Sequence, residues 1–222
     1  MDATIIKVGG SLAAYPEKLK ALCAKLSEVS KKHKLIVVPG GGEFADTVRT
    51  LDKRFNLPPA LSHRMAILAL DQYGFLLSHL FPEAYVVNRL EQVRETLDLD
   101  KLPVFLPSTL LLNNDPLENS WDVTSDSIAV YTGTQLHASK VLLVTDVNGV
   151  YTCDPKKSSG AKLISKLSAG ELLKMNKKTS VDRFLPKLLL KLQIECFVVN
   201  GFYPDRIEAV LDGREAVCTL IS

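Results

Sequence analysis

Short, largely apolar runs alternate along the chain with segments in which apolar residues recur every three or four positions. The runs include Thr4–Val8, Lys34–Pro39 and Val141–Val144, and such runs are typical of strands that a parallel sheet buries on both faces. The first periodic segment begins near Pro16 and carries its apolar residues at helical spacing: Leu19, Leu22, Leu26 and Val29. This alternation predicts an α/β fold with a mostly parallel sheet.

Further elements are predicted from the same two patterns. A long apolar helix should follow Pro58 and Pro59, and Gly74 within it indicates close packing, either inside the chain or across a subunit interface. The remaining predicted strands are Tyr85–Val87, Pro103–Leu106, Ile194–Val199 and Val217–Ile221. The remaining predicted helices are Leu163–Met175, Val181–Leu192 and Pro204–Leu211. No repeat or long linker interrupts this order, so we expect one domain over residues 1–222.

Glycines follow directly on the first two strands. Gly9, Gly10 and Ser11 follow one strand, and Gly40–Gly42 follow the next and open a helix. Glycine lets backbone N–H groups approach an anion closely, Lys7 adds a cation, and a helix start adds its dipole. A right-handed crossover places both loops at the same edge of the sheet. The two loops therefore predict an anion site, although neither matches the dinucleotide fingerprint or the Walker motif.

The segment from Trp121 to Pro155 adds polar groups to that edge. Short oxygen-bearing side chains crowd the predicted start of a helix: Asp122, Thr124, Ser125 and Asp126. The strand Val141–Val144 then ends at Asp146, in front of an Asn148-Gly149 turn. Ligands of open α/β sheets bind beyond the carboxyl ends of the strands, so this loop should contact one. A plain helix cap and a plain turn are the alternatives.

These motifs resemble those of the amino acid kinase superfamily. In order, they are Lys7-Val8-Gly9-Gly10-Ser11, Pro39-Gly40-Gly41-Gly42, Asp126 at a helix start, Thr145–Tyr151, and Asp154-Pro155-Lys156. The resemblance spans nearly the whole chain. It implies a three-layer α/β/α sandwich around a mostly parallel central sheet, with the acceptor site mainly in residues 1–120 and the nucleotide site mainly in residues 121–222.

The resemblance also implies individual roles. Lys7 would neutralise charge on the transferred phosphoryl group, and Asp126 would orient the donors around it. ATP, with Mg²⁺, would contact the residues that match the family's nucleotide motifs: Gly9, Gly10, Ser11, Asp146, Asn148, Gly149, Tyr151, Asp154, Pro155 and Lys156. Many relatives carry a second lysine in a Gly-Gly-Met context. The comparable stretch here leaves open whether Arg183, Lys187 or no residue replaces it.

The acceptor site is implied at Gly40, Gly41 and Gly42. The helix that follows brings His63 and Arg64, whose donors suit an anionic acceptor such as one already phosphorylated. A surface position or a helix cap is the alternative for His63. Segments Gly40–Asp46, His63–Gly74 and Trp121–Asp126 are most similar to short archaeal members of the family that phosphorylate an aminomethylfuran-methyl phosphate. That acceptor would offer an ammonium to Asp46, Asp122 or Asp182. Isopentenyl phosphate and UMP are the alternative acceptors, and a non-catalytic binding protein is the alternative function.

Composition narrows the class of protein to which the chain can belong. The chain has 222 residues and 46% hydrophobic content, which is enough to form the core of one domain. Its net charge of +2 is too small to indicate nucleic-acid binding. Its apolar runs fall short of a bilayer span, and it opens on a strand, so we expect a cytoplasmic protein with no membrane partner. We also expect reduced cysteines, no protein metal site and a homo-oligomer.

Overall fold

The central sheet places both glycine loops at one edge. The computed structural model describes residues 3–175 and 179–222, and within them eight strands form one sheet. These strands are β1 (Ala3–Val8), β2 (Lys34–Pro39), β3 (Ala84–Val87), β4 (Leu102–Phe105), β5 (Lys140–Thr145), β8 (Lys166–Leu167), β9 (Glu195–Asn200) and β10 (Cys218–Ile221). Their order across the sheet is β3-β4-β2-β1-β5-β9-β10-β8, and β10 runs antiparallel to β9 while the other neighbours are parallel. Two short strands, β6 (Val150–Tyr151) and β7 (Leu163–Ile164), pair separately.

Helices cover both faces of this sheet. They are α1 (Pro16–Val29), α2 (Gly42–Phe55), α3 (Pro59–Leu80), α4 (Leu90–Asp98), α5 (Ser108–Asn114), α6 (Ser125–Gln135), α7 (Ala169–Lys174), α8 (Leu185–Leu192) and α9 (Asp205–Leu211), with a short 3-10 helix at Gly10–Ala14. Successive residues of β1 point to opposite faces, so Ile5 packs with α6 and α8 while Ile6 packs with α1 and α9. The two buried clusters confirm the predicted α/β/α sandwich. No described helix is both long and apolar enough to cross a membrane.

The strand register brings the two glycine loops into contact. The amide of Gly9 donates to the Val144 carbonyl of β5, and the amide of Gly40 donates to the Val8 carbonyl of β1, both at 2.8 Å. A methyl group on Gly10 would lie 2.0 Å from the Gly42 nitrogen. The common edge predicted from the crossover rule is therefore present, and the loops touch.

Gly74 explains how α3 approaches the sheet. A methyl group there would lie 2.4 Å from Leu106 Cδ2 and 3.2 Å from Pro39 Cγ. The close packing predicted for this glycine is present, and the contact lies inside the chain. The neighbouring Tyr73 is buried and its hydroxyl donates to the Gly9 carbonyl at 3.3 Å, so α3 also supports the first glycine loop.

The carboxy-terminal part departs from two sequence predictions. The helix expected over Leu163–Met175 is wrong: β7 and β8 occupy its first half, and α7 begins only at Ala169. A capping box explains this start, because Ser168 Oγ accepts from the Glu171 amide and the Glu171 carboxylate accepts from the Ser168 amide. The helix expected from Val181 begins at Leu185, with Pro186 in its first turn, where proline is tolerated.

Candidate active site

A buried ion pair lies where β1 and α6 meet. Lys7 is the last residue but one of β1, directly before the first glycine loop, and its Nζ lies 2.7 Å from Asp126 Oδ1. Both side chains are only 9% exposed. Lys7 Nζ would also lie 3.7 Å from a methyl group on Gly9, so the cation lies next to the first glycine loop. The two residues predicted to be catalytic are therefore in direct contact.

Asp182 holds this pair from the other side. Its backbone amide donates to Asp126 Oδ2 at 3.1 Å. Its carboxylate accepts from the amides of Thr124, Ser127 and Leu185 and from the hydroxyls of Thr124 and Ser127, at 2.7 to 3.0 Å. It thus caps the starts of both α6 and α8. Burial and the nearby Asp126 charge raise the pKa of Asp182 to about 6, although the bonds from Ser127 and Thr124 oppose that rise.

These contacts correct one sequence expectation. Asp182 was a possible partner for an ammonium group of the acceptor, but its carboxylate is occupied by five donors of the chain itself. Asp122 lies outside α6, which begins at Ser125, and so it is not in the first helical turn as predicted. Its carboxylate is 3.8 Å from Arg183 Nη1, in a separate cavity of about 240 Å³. Lys187 and Arg183 border that same cavity and line neither of the two described below.

One large cavity lies beyond the ends of β1 and β5. Its volume is about 560 Å³. It is lined by Ser11, Thr145, Asp146, Val147, Gly149, Tyr151, Cys153, Asp154, Pro155, Lys156, Lys157, Thr179 and Ser180. Most residues predicted to bind the nucleotide therefore surround a single space. Gly9 and Gly10 belong to the adjoining loop, and Gly10 lines the neighbouring cavity.

Asn148, also predicted to bind nucleotide, faces away from this cavity. Its Oδ1 accepts from Asn200 Nδ2 at 3.0 Å and from Arg206 Nη1 at 2.8 Å, which ties the loop to β9 and α9. The next residue, Gly149, has φ +152°, and a methyl group there would lie 2.3 Å from Thr219 Oγ1. The Asn148-Gly149 pair therefore fixes the loop's path, and the loop's other side chains border the cavity.

Asp146 and Lys156 form an ion pair at the edge of the cavity of about 560 Å³. We refer to that space as the nucleotide-side cavity. Burial of Asp146 favours its neutral form, but the hydrogen bond and charge of Lys156 outweigh burial and lower the pKa of the carboxyl. The same hydrogen bond raises the pKa of Lys156. The Lys156 side chain is mostly exposed, so it can leave Asp146 for an anion at small cost.

A second cavity, of about 370 Å³, lies on the other side of the glycine loops. It is lined by Gly10, Ser11, Ala14, Gly41, Gly42, Glu43, Ala45, Asp46, Arg49, His63, Ala66, Ile67, Leu70, Trp121, Val123, Thr124, Ser125 and Ile128. Ser11 borders both cavities, so the two spaces adjoin at the first glycine loop. We refer to this space as the acceptor cavity.

The predicted acceptor residues divide around this cavity. Gly41, Gly42 and His63 line it, and Gly40 packs against Gly10, with 2.6 Å between a methyl group on Gly40 and the Gly10 nitrogen. Arg64 is exposed and does not line the cavity. His63 is buried, and this burial lowers the pKa of its imidazole, against an opposing effect of Asp115. The ring is therefore neutral near pH 7.

Arg49 and Trp121 also line the acceptor cavity, although the sequence motifs predicted no site role for either residue. The Arg49 guanidinium carbon lies 4.5 Å from the centroid of the Trp121 ring. The indole Nε1 of Trp121 donates to Asp52 Oδ2 at 2.6 Å, and Asp52 lies one turn beyond Arg49 on α2. One face of the Trp121 ring is therefore taken by Arg49. Arg49 lies about two turns after Gly42, a spacing that returns it to the same face of α2.

The chain is similar to known proteins along almost its whole length. The model of the amino acid kinase family matches residues 2–200. A [5-(aminomethyl)furan-3-yl]methyl phosphate kinase from Methanocaldococcus jannaschii is 37% identical over 220 residues, which cover 98% of this chain and 96% of that protein. A uridylate kinase from Pyrococcus abyssi is 25% identical over 232 residues, covering 97% of this chain and 98% of that protein.

Solved structures share the fold. The crystal structure of uridylate kinase from Archaeoglobus fulgidus matches with a TM-score of 0.78 and 22% identity over the full length of both chains. That of UMP kinase from Bacillus anthracis matches with a TM-score of 0.80 and 20% identity, covering 100% of this chain and 96% of that one. The resemblance found from the motifs is confirmed along almost the whole sequence, and this chain belongs to the amino acid kinase family and is a phosphotransferase.

Proposed function

We propose that this protein transfers the γ-phosphoryl group of ATP to a phosphate monoester, and that the acceptor is an aminomethylfuran-methyl phosphate, which becomes a diphosphate. The observation that carries this proposal is the position of Ser11, which borders both cavities and lies in the glycine loop that follows the buried Lys7–Asp126 pair. A donor in one cavity and an acceptor in the other would meet at the glycine loop. The similarity to the Methanocaldococcus enzyme supports the choice of acceptor and a place in methanofuran biosynthesis.

The chemistry follows from charge. Transfer of a phosphoryl group needs alignment and neutralisation more than covalent catalysis. Lys7 would stabilise charge on the transferred group, and Asp126 would keep the ammonium in place at 2.7 Å. The amide of Gly10 would add a donor that needs no reorganisation, whereas the Gly9 amide is bonded to the Val144 carbonyl and holds the loop in place.

Mg²⁺ fits this site as a partner of ATP. No group of three or more His, Cys, Asp or Glu side chains in the described residues could hold a metal ion. Mg²⁺ commonly binds through one or two carboxylates together with substrate phosphates. Asp146 and Asp154 line the nucleotide-side cavity and supply oxygens of that kind. When bound, the ion would neutralise charge on the phosphates of ATP and on the phosphoryl group that is transferred.

A phosphate acceptor removes the need for a general base. The second pKa of a phosphate monoester is about 6, so the acceptor is already a nucleophile at neutral pH. Asp126 has its two oxygens occupied by Lys7 and by the Asp182 amide, which suits an organising role.

The charges of the acceptor cavity favour the furan substrate over the alternatives. Glu43 and Asp46 line it, and neither side chain forms an ion pair within residues 3–175 and 179–222. A ligand with an ammonium group would supply the missing partner. UMP and isopentenyl phosphate have no such group, although the uridylate kinase relatives keep UMP as the second candidate.

We further propose that the protein is a cytoplasmic homo-oligomer. Three large apolar side chains on α3 are exposed at seven-residue spacing: Leu61 at 45%, Leu68 at 47% and Phe75 at 58%. This spacing places them on one face of the helix. Such a stripe would be covered by a second copy of the chain, and sedimentation velocity of wild type against Phe75→Lys measures whether it is.

The deciding experiment is a panel of acceptors with ATP and Mg²⁺, with products identified by mass. The panel contains aminomethylfuran-methyl phosphate, isopentenyl phosphate, UMP, acetylglutamate and carbamate. We expect a diphosphate from the furan phosphate with the highest kcat/KM. A higher kcat/KM on UMP or isopentenyl phosphate would refute the acceptor, and transfer only to a carboxylate or carbamate would refute the phosphate-acceptor class. Binding of ATP without transfer to any member would favour a non-catalytic protein.

A further inference from the structure

Arg49 is a half-buried cation without an anionic partner among the residues that the structure describes. Its Nε is buried and makes no hydrogen bond, and its guanidinium forms no ion pair with any described carboxylate. The contact that holds it is the face of Trp121, 4.5 Å away. A guanidinium carries five N–H donors, and leaving such donors unpaired in a partly buried place costs free energy. An anionic ligand would satisfy them.

The neighbouring carboxylates do not take this role. Asp46 lies three residues before Arg49 on α2, a spacing at which opposite charges commonly pair, yet no ion pair forms between them. Asp52 lies three residues after it and is bonded to Trp121 Nε1 at 2.6 Å. Asp52 thus fixes the indole, and the indole fixes the guanidinium. The arrangement keeps Arg49 in place without neutralising it.

The charge of the cavity requires such a cation if the ligand is a phosphate. Glu43 and Asp46 are both carboxylates of the lining, and His63 is the other basic side chain there. Burial favours the neutral form of His63, so Arg49 is the one permanent cation among the described residues that line the acceptor cavity. A phosphate dianion entering this space would otherwise meet two negative charges.

Arg49 can also reach the correct end of the cavity. Long side chains on a helix point back toward its amino end. Arg49 lines the same cavity as Gly42 and Ala45, where α2 begins and where the two glycine loops meet. The helix start attracts anions as well. A phosphate between this start and Arg49 would lie next to the nucleotide-side cavity.

We propose that Arg49 is the specificity-determining residue that binds the phosphate of the acceptor, and that Trp121 and Asp52 position it. This inference rests on the proposed phosphate-monoester acceptor and assigns that phosphate a place. Arg49 presents a planar pair of donors to two phosphate oxygens, which a lysine cannot reproduce.

The test uses Trp121 as a reporter, because it is the chain's one tryptophan and it contacts Arg49. Without ATP, aminomethylfuran-methyl phosphate and its phosphate-free alcohol are titrated while tryptophan emission is followed, in wild type, Arg49→Gln and Arg49→Lys. We expect wild type to prefer the phosphate by at least about tenfold, the size of a charge-assisted bond. Arg49→Gln should abolish that preference, and Arg49→Lys should keep part of it.

Arg54→Gln is the matched control, since Arg54 lies on α2, is exposed and does not line the acceptor cavity. It should keep the full preference. The inference is overturned if Arg49→Gln retains the preference, if it weakens the phosphate and the alcohol equally, or if wild type shows no preference for a phosphate over its alcohol in any pair tested. The same titration with UMP and uridine separates the two proposals, because a preference for UMP that Arg49→Gln abolishes supports Arg49 while the furan acceptor fails.

Discussion

The backbone amide of Asp182 donates to Asp126 at 3.1 Å, on the oxygen that does not face Lys7. The carboxylate of Asp182 is at the same time bonded to the first turns of α6 and α8. A residue that lines neither the acceptor cavity nor the nucleotide-side cavity thus sets the orientation of the predicted catalytic pair. Its sequence context, Ser180–Lys187, is where many relatives carry a second lysine, and here the stretch contributes a carboxylate that holds the site together.

Asp182→Ala should unfold the site as well as reduce activity. Five donors would lose their acceptor, and buried unsatisfied donors cost about 1–3 kcal/mol each before relaxation, so we expect a loss of at least about 3 kcal/mol of unfolding free energy. Asp182→Asn keeps one acceptor oxygen and should lower kcat more than it raises the KM for ATP. Urea unfolding and steady-state kinetics measure the two effects, and an Asp182→Asn enzyme with unchanged kcat would contradict the positioning role.

Asp182 also predicts a pH dependence of stability. Its pKa is raised in the folded state from 3.8 to about 6, so the native protein binds more protons than the unfolded chain between these values. The contribution of Asp182 to stability is therefore full below the unfolded pKa and is lost as pH rises through the folded pKa. Urea unfolding of wild type and Asp182→Asn between about pH 4 and 7 should show a smaller decline with pH in the variant.

Lys7→Met should abolish phosphoryl transfer and also destabilise the fold. Removal of one member of a buried pair leaves an uncompensated charge, which costs about 3–5 kcal/mol, and loss of a transition-state donor costs about a hundredfold to a thousandfold in kcat. The double variant Lys7→Met/Asp126→Asn removes both charges. It should recover much of the stability and none of the activity, and recovery of transfer in the double variant would exclude Lys7 from the chemistry.

Gly10→Ala should disrupt the meeting of the two glycine loops. The new methyl group would lie 2.0 Å from the Gly42 nitrogen and 2.2 Å from its Cα, both of which are backbone atoms that cannot rotate away. The matched control is Gly170→Ala in α7, where the nearest atom would be 3.9 Å away and alanine favours the helix by about 1 kcal/mol. Thermal unfolding and transfer assays should show a loss in the first variant only.

The sequence predicted the two glycine loops and their common edge because apolar strands and the glycines after them are recognised from neighbouring residues alone. The right-handed crossover then places both loops at one edge. It could not predict the contacts of Asp182, since four of the five bonds to its carboxylate come from Thr124 and Ser127, which lie 58 and 55 positions away in the sequence. The Arg49–Trp121 contact could not be predicted for the same reason, since the two residues are far apart in the sequence. The Leu163–Met175 helix was predicted from apolar spacing, but pairing of Leu163–Ile164 with β6 and of Lys166–Leu167 with β10 prevails there. Ser168–Glu171 did carry a recognisable capping signal.

Lys156→Met should weaken ATP binding with little effect on stability. The side chain is 60% exposed, so its pair with Asp146 contributes less than about 1 kcal/mol to folding. Its cation borders the nucleotide-side cavity, where it can contact phosphates. We expect a higher KM for ATP and an unchanged KM for the acceptor. Lys162→Met is the control, because Lys162 does not line that cavity, and equal KM values for ATP in the two variants would count against Lys156.

Asp46→Asn should change which acceptors are used. Asp46 lines the acceptor cavity and has no ion-pair partner among the described residues, so an ammonium group of the acceptor would gain a charge-assisted bond there. Loss of that bond should raise the KM for aminomethylfuran-methyl phosphate by about tenfold to a hundredfold.

The comparison acceptor for this variant is the same furan phosphate with a methyl group in place of its aminomethyl group. Its KM should be high in wild type and should not rise further in Asp46→Asn, because it offers no ammonium to Asp46. Asp46→Glu should recover part of the affinity for aminomethylfuran-methyl phosphate, since it restores the negative charge on a side chain that is one methylene longer. A similar rise in KM for both ligands would show that Asp46 acts through the shape of the cavity. In that case Glu43, the other unpaired carboxylate of the lining, would be the remaining partner for the ammonium.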